Sequence, residues 1–165
     1  MKSIAAISFF LLSAVSFCVS CASHPGRNSS CEGAGQEVSA EFLGIESVDA
    51  WGGGFEQKFA KMEILNTSRE SFVIGSSESS YTLIHRANFE LQALSPDGAW
   101  KNASFVFEDI SSPKRVITIA PGKKEKVLVD VDDAYRNSAR GVDSYYRVLF
   151  KDLRGCSFAS NRFKF

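Results

Sequence analysis

Side chains that could move protons, hold metals or stack on ligands are few in this chain. Of its two histidines, His24 falls in a polar stretch near the N-terminus, so His85 alone belongs to the body of the sequence. A lone imidazole makes no histidine-rich metal site, and no Gly-x-Ser-x-Gly nucleophile motif accompanies it. His85 reads as an ordinary residue at a strand end. Asp130, Asp132 and Asp133 form the densest carboxylate group and are the weak metal candidates. Their hard oxygens suit Ca2+ in type. No Asp-x-Asp-x-Asp-Gly loop frames them, and solvated strand-end charges are the simpler reading. Neither a metal nor a cofactor is expected. Gly52-Gly53-Gly54 lacks the helix and the Lys-Ser/Thr pair of a phosphate loop, and reads as a hairpin connection. Trp51 and Trp100 remain, each beside a turn signal. Loop-borne aromatics on a rigid scaffold are common binding anchors. That both cap the ends of a core is the simpler reading.

The elements that must position these residues are strands. A chain of 165 residues predicts one domain. Lys plus Arg equals Asp plus Glu, 19 each, so the chain has no electrostatic footprint for nucleic acid. Its 14 Phe favour sheets. From residue 38 onward, short alternating runs separate at turn signals. Val38, Ala40 and Phe42 alternate with polar neighbours, as do Ala60, Met62 and Ile64 before Asn66-Thr67-Ser68. Phe72-Val73-Ile74 and Tyr81-Thr82-Leu83-Ile84 are further short runs. Phe89, Leu91 and Ala93 lead into Ser95-Pro96-Asp97-Gly98, a hairpin turn in which Pro presets φ and Gly accepts the left-handed position. Residues 99–107 return as a strand. Val116–Ala120, Val127–Val131, Tyr145–Phe150 and Cys156–Phe165 complete the set. Eight or nine short strands predict an all-β sandwich or barrel. Asp132–Arg140 offers one or two helical turns without a wide apolar stripe. Lys123, Lys124 and Lys126 read as charges that discourage edge-to-edge pairing, with an anionic lipid or glycan contact as the alternative.

The N-terminus has a different composition. Met1-Lys2-Ser3 is followed by an uncharged stretch from Ile4 to Val19 and by small residues, the anatomy of a secretory signal. Cys18-Val19-Ser20-Cys21 resembles the bacterial lipobox, with Cys18 standing where that pattern has Leu, Val or Ile. The resemblance implies lipid attachment at Cys21 and membrane anchoring through the acyl chains. Ser20-Cys21-Ala22 also suits ordinary cleavage after Ala22, which would release a soluble periplasmic or secreted protein. Residues 1–20 are thus expected to be a lipoprotein-like signal and 21–37 a Gly/Ser-rich tether, with the sandwich spanning 38–165. Once Cys18 and Cys21 are removed or lipidated, Cys31 and Cys156 remain. An even remainder in an exported protein reads as a disulfide. So long a loop would contribute on the order of 4–5 kcal/mol by chain entropy.

Three segments carry a fold-level resemblance. Lys61–Ser68 is similar to the strand ending in an asparagine-led turn of bacterial extracellular immunoglobulin-like domains. Val116–Lys123, followed by Val127-Leu128-Val129, is similar to their strand-Pro-Gly-strand segment. Gly141–Val148 looks like the start of their F strand, where Tyr145 or Tyr146 would make a tyrosine corner. The resemblance implies an immunoglobulin-like antiparallel β-sandwich with Tyr146, Val148 and Phe150 facing the core. Val148 stands where an antibody domain has its second cysteine, so the likeness is to the architecture, and it does not fix function. Phe163-Lys164-Phe165 is an aromatic ending of the kind outer-membrane barrels carry, but Pro113, Pro121 and frequent charges cut the strands too short for that class.

Three function classes follow. The first is a non-enzymatic envelope or secreted module that binds a protein or glycan. The second is a structural accessory lipoprotein of an envelope complex. The third is a metal-dependent enzyme or carrier, which the inventory disfavours. An exposed Trp51 or Trp100 selects the first, two covered tryptophans the second, and a cleft gathering Asp130, Asp132 and His85 the third.

Overall fold

A computed structural model describes residues 37–103, 112–138 and 144–165. The proposed signal, most of the tether, Cys21 and Cys31 lie outside those residues. Among the described residues there are nine strands: β1 (Val38–Val48), β2 (Gln57–Asn66), β3 (Phe72–Ser76), β4 (Phe89–Leu94), β5 (Trp100–Asn102), β6 (Arg115–Ile119), β7 (Lys124–Asp130), β8 (Tyr146–Lys151) and β9 (Ser157–Ala159). They form three antiparallel sheets of order β1-β2-β7, β3-β6 and β5-β4-β8-β9. The helix α1 (Asp132–Ser138) follows β7, and a 3-10 turn spans Arg86–Asn88. The protein is all-β, as the strand count predicts.

All three sheets turn their apolar side chains into one core. Ala60, Met62 and Ile64 enter it from β2, Val127 and Val129 from β7, and Phe72 and Ile74 from β3. From the four-stranded sheet come Leu91, Tyr146, Val148, Phe150 and Phe158. The period-2 alternation that marks β2 and β8 as strands therefore also selects their inward faces. Tyr146, Val148 and Phe150 are buried while Arg147 and Lys151 are partly exposed, the facing expected from the sequence.

Three boundaries depart from expectation. The closing run Cys156–Phe165 is a strand only over Ser157–Ala159, with one further bridge from Phe163 to Tyr146. Tyr81–Ile84 is not a full strand. It makes two isolated bridges, Ser76 to Ile84 antiparallel and Leu83 to Leu128 parallel, and so ties β3 to the outer edge of β7. Four residues suffice for one contact on each side, and the polar serines before them do not extend the ladder. β5 ends at Asn102, and the expected continuation through Phe105 and Phe107 lies outside the described residues.

A second apolar cluster sits beyond the three-stranded sheet. Phe59, Leu128, Val48, Ala50 and Leu83 bury one another there. Phe59 precedes inward-facing Ala60, and Leu128 lies between inward-facing Val127 and Val129, so both point to the other face. That face is roofed at one end by Ala50 from the β1–β2 loop and by Leu83. Burying a phenylalanine contributes roughly 2–3 kcal/mol, so this cluster fixes the loop end of the sheet as well as the main core fixes its middle.

Candidate binding cleft at the Trp51 loop

The β1–β2 connection is built around Asp49. Its carboxylate accepts the backbone N–H of Gly53 at 3.1 Å and of Gly54 at 2.6 Å. The N–H of Gly54 most strongly holds this carboxyl below its usual 3.8; desolvation opposes it, and the N–H groups of Gly53, Gly52 and Trp51 add to the lowering. Gly52 and Gly54 have φ of 72° and 78°, values that a side chain would strain. The glycine run thus wraps the chain closely around one anion. Ser79 donates its hydroxyl to Ala50 O at 2.9 Å and pins this loop to the β3 exit.

The wrapped loop presents two aromatic rings. Trp51 is 59% exposed and Phe55 80% exposed. The Trp51 indole Nε1 donates to Gln57 Oε1 at 3.0 Å, which fixes the ring by its edge and leaves a face open. Beside it lies a shallow cleft of 520 Å³ lined by Trp51, Asp49, Glu78, Ser79, Ser80 and Arg115. Ser80 Oγ and the Arg115 guanidinium have no partner among the described residues. Glu78 pairs with Lys114 at 3.3 Å across exposed surface.

Trp100 is placed otherwise. It lies on β5, half-buried, with the Arg147 guanidinium 4.4 Å from its ring centroid. Arg147 Nε in turn donates to Gln92 Oε1 at 2.8 Å. The open face that Trp51 offers is covered here by a cation. The structure therefore separates the two tryptophans that the sequence treats alike.

The carboxylates singled out in the sequence have structural occupations. Asp130 Oδ1 accepts the N–H of Asp132 at 3.1 Å, and its Oδ2 lies 3.5 Å from Arg86. Burial pushes its carboxyl above 3.8, opposed by the Asp132 N–H and Arg86. Asp132 accepts the N–H of Lys58 at 3.2 Å and pairs with Arg136 at 2.8 Å on α1. Asp133 is exposed in the first helical turn. Among the described residues no group of three His, Cys, Asp or Glu side chains is placed to hold a metal. His85 is buried at the start of the 3-10 turn, where Nδ1 accepts the N–H of Ala87 at 3.3 Å. Lys124 pairs with Glu63 at 2.5 Å across β7 and β2. Cys156 is buried at the β8–β9 turn, with its N–H donated to Asp152 Oδ1 at 2.8 Å.

Asp49 and Ser79, which shape the cleft, were not singled out in the sequence. The available signal was an aspartate within five residues of three glycines, a pairing that favours side-chain-to-backbone turns.

No family model matches the chain, and no curated protein matches it. It is similar to a solved structure described as the X-ray structure of Northeast Structural Genomics Consortium target SoR45, with 10% identity and a TM-score of 0.32 over 79% of this chain and 86% of that one. A likeness so remote says nothing of fold or function. What the fold and cleft define is a class: a small all-β protein that displays one fixed aromatic ring beside a polar cleft.

Proposed function

We propose that this chain is an exported, non-enzymatic binding module, held to a membrane by a lipid on Cys21, which engages a protein or glycan of the cell envelope through the Trp51 end. The observation that carries the reading is the exposure of Trp51 on a loop already fixed by Asp49, Gln57 and Ser79. An aromatic anchor ordered before binding loses little entropy when a ligand arrives. Position supports it as well. β1 runs 11 residues from Val38, where the tether joins, to Val48 beside the cleft, roughly 35 Å at ~3.3 Å per residue. An anchor on the tether side leaves the cleft at the far end of the domain, facing away from its own membrane.

Two finer assignments belong to the same proposal. The domain is an immunoglobulin-like sandwich, supported by the order of its Asn-turn, Pro-Gly and Tyr146 segments. Cys31 and Cys156 form a disulfide, supported by cysteine parity and by the burial of Cys156.

Cosedimentation of the mature domain with envelope fragments of its host tests the binding role. The unaltered domain is expected in the pellet, and a Trp51→Ala/Phe55→Ala variant of equal thermal stability in the supernatant. Equal retention of both overturns the assignment of the Trp51 end. The intact mass of the protein from host membranes tests the anchor. Cleavage before Cys21 plus acyl chains is expected, with a gain of two hydrogens on reduction. A mass that fits cleavage after Ala22 without lipid overturns the anchor and leaves a soluble module.

A further inference from the structure

The cleft beside Trp51 has a composition that narrows its ligand. A binding surface for an apolar peptide is a pocket walled by aliphatic and aromatic side chains. Here one indole face stands alone beside polar groups: the Ser80 hydroxyl, the Glu78 carboxylate and the Arg115 guanidinium. A polyanion such as nucleic acid or a phosphate-rich polymer needs net positive charge. Two carboxylates, Asp49 and Glu78, line the cleft; Arg115 and the Lys114 ammonium paired with Glu78 balance them, so the cleft has no excess of positive charge. The cleft is shallow and open, so it suits a chain passing across it better than an enclosed small molecule.

A sugar ring meets each of these terms. One face of a pyranose presents C–H groups, which pack on an indole face with both dispersion and attraction to its negative π-cloud. Its rim presents hydroxyls that both donate and accept, and so need donors and acceptors together. Arg115 supplies donors, Glu78 acceptors and Ser80 both. The hydrogen bond from Trp51 Nε1 to Gln57 leaves the ring face free while holding its angle. Phe55, on the same loop, offers a second apolar surface to a neighbouring unit of a chain.

Resting on the binding role proposed above, we infer that the Trp51 cleft is a saccharide site for a neutral, chain-like glycan, with a sugar ring stacked on the indole and its hydroxyls held by Ser80, Glu78 and Arg115.

The test uses the mature domain carrying Trp100→Phe, in which Trp51 is the remaining tryptophan. Its fluorescence is titrated with neutral hexasaccharides (cellohexaose, chitohexaose and mannohexaose) and with heparin as a polyanion. A saturable change with at least one neutral hexasaccharide is expected, and none with heparin. Calorimetry on domains that retain Trp100 measures Arg115→Ala and Trp51→Ala. Each should weaken that binding roughly tenfold or more, because removing an anchor or a charged hydrogen bond costs at least that much. No response to any neutral hexasaccharide at millimolar concentration overturns the saccharide assignment. If Trp51 still governs retention on envelope fragments in that case, the module binds a protein and only the ligand class falls. If retention is also independent of Trp51, the binding role falls with it. A response to heparin that exceeds the neutral sugars overturns the charge argument and the neutral-glycan assignment together.

Discussion

The side-chain amide of Asn66 donates to the backbone carbonyl of Ile119 at 2.8 Å, joining the end of β2 to the end of β6 across different sheets. The same amide donates to Glu70 O at 2.8 Å, and Asn66 Oδ1 accepts from Ser68 N at 3.0 Å and Ser68 Oγ at 2.6 Å. The backbone of Asn66 holds the Pro121-Gly122 turn as well, accepting from Gly122 N at 2.7 Å and donating to Lys123 O at 3.0 Å. Asn66 is fully buried, so each of these groups would otherwise lack a partner.

Asn66→Ala is therefore expected to destabilise the domain by about 1–3 kcal/mol, because the buried Ile119 carbonyl loses its donor, while Glu70 O keeps the hydroxyl of Ser68. Urea unfolding measures the loss. A change below about 0.5 kcal/mol, the usual range for surface substitutions, would show that water replaces the amide and that Asn66 joins nothing. Asn66→Asp should be worse at neutral pH than at acid pH, since only its protonated form can donate and its charge would be buried.

Gly75 stands in β3 where a Cβ would lie 2.2 Å from Asn88 Oδ1 and 2.7 Å from Pro113 Cβ. Gly75→Ala should cost about 1–3 kcal/mol by overpacking. Asn88→Ala removes the nearer obstacle but also the 2.9 Å hydrogen bond from Nδ2 to Lys151 O. The double variant is thus expected to lose less than the sum of the two singles. Strict additivity in thermal or urea unfolding would show that Pro113 alone sets the constraint.

The sequence carried the main core plainly and the cleft poorly, for a physical reason. Met62 and Ile64, or Val148 and Phe150, advertise their facing by alternation, because a sheet with one wet face needs period 2. Phe59 beside Ala60, and Leu128 between two valines, break that period. Those breaks are the trace of the second cluster, where the loop end of the sheet is covered on both faces. Ala50 covers them from the loop before β2 and Leu83 from a segment distant in sequence, and no local pattern specifies the contact with Leu83. Trp51 and Trp100 are alike in type and in nearness to a turn. Only the fold brings Arg147 over one of them and leaves the other open.

Asp130 sets a pH dependence of definite sign. Burial raises its carboxyl above 3.8 in the folded protein. The folded state then binds protons more readily than the unfolded chain, so this group's contribution to stability falls as pH rises from 3.8 through the raised folded value. Asp130→Asn keeps an acceptor for the Asp132 N–H and has no proton to lose. The variant's stability relative to the unaltered protein should rise across that window and level off above it. Urea unfolding at a series of pH values measures the difference. The opposite slope would mean that the attraction of Arg86 outweighs burial.

Asp49 has the opposite sign and bears on binding. Its carboxyl is held below 3.8, chiefly by the Gly54 N–H. The order it gives the loop is present above 3.8 and is lost as pH falls through the depressed folded value. In a Trp100→Phe protein, Trp51 reports on that loop directly. Its fluorescence anisotropy should fall in a transition below pH 3.8 while the far-ultraviolet circular dichroism of the sheets is still intact. Asp49→Ala should remove the transition and lower the anisotropy at neutral pH. The variant should unfold at nearly the same urea concentration, because the second cluster lies beneath the loop and does not depend on Asp49. Unchanged anisotropy in Asp49→Ala would assign the fixing of Trp51 to Gln57 and Ser79 instead. The lowered value would mean that one half-buried carboxylate, wrapped by glycines whose left-handed φ few other residues adopt freely, keeps the indole ordered before any ligand arrives.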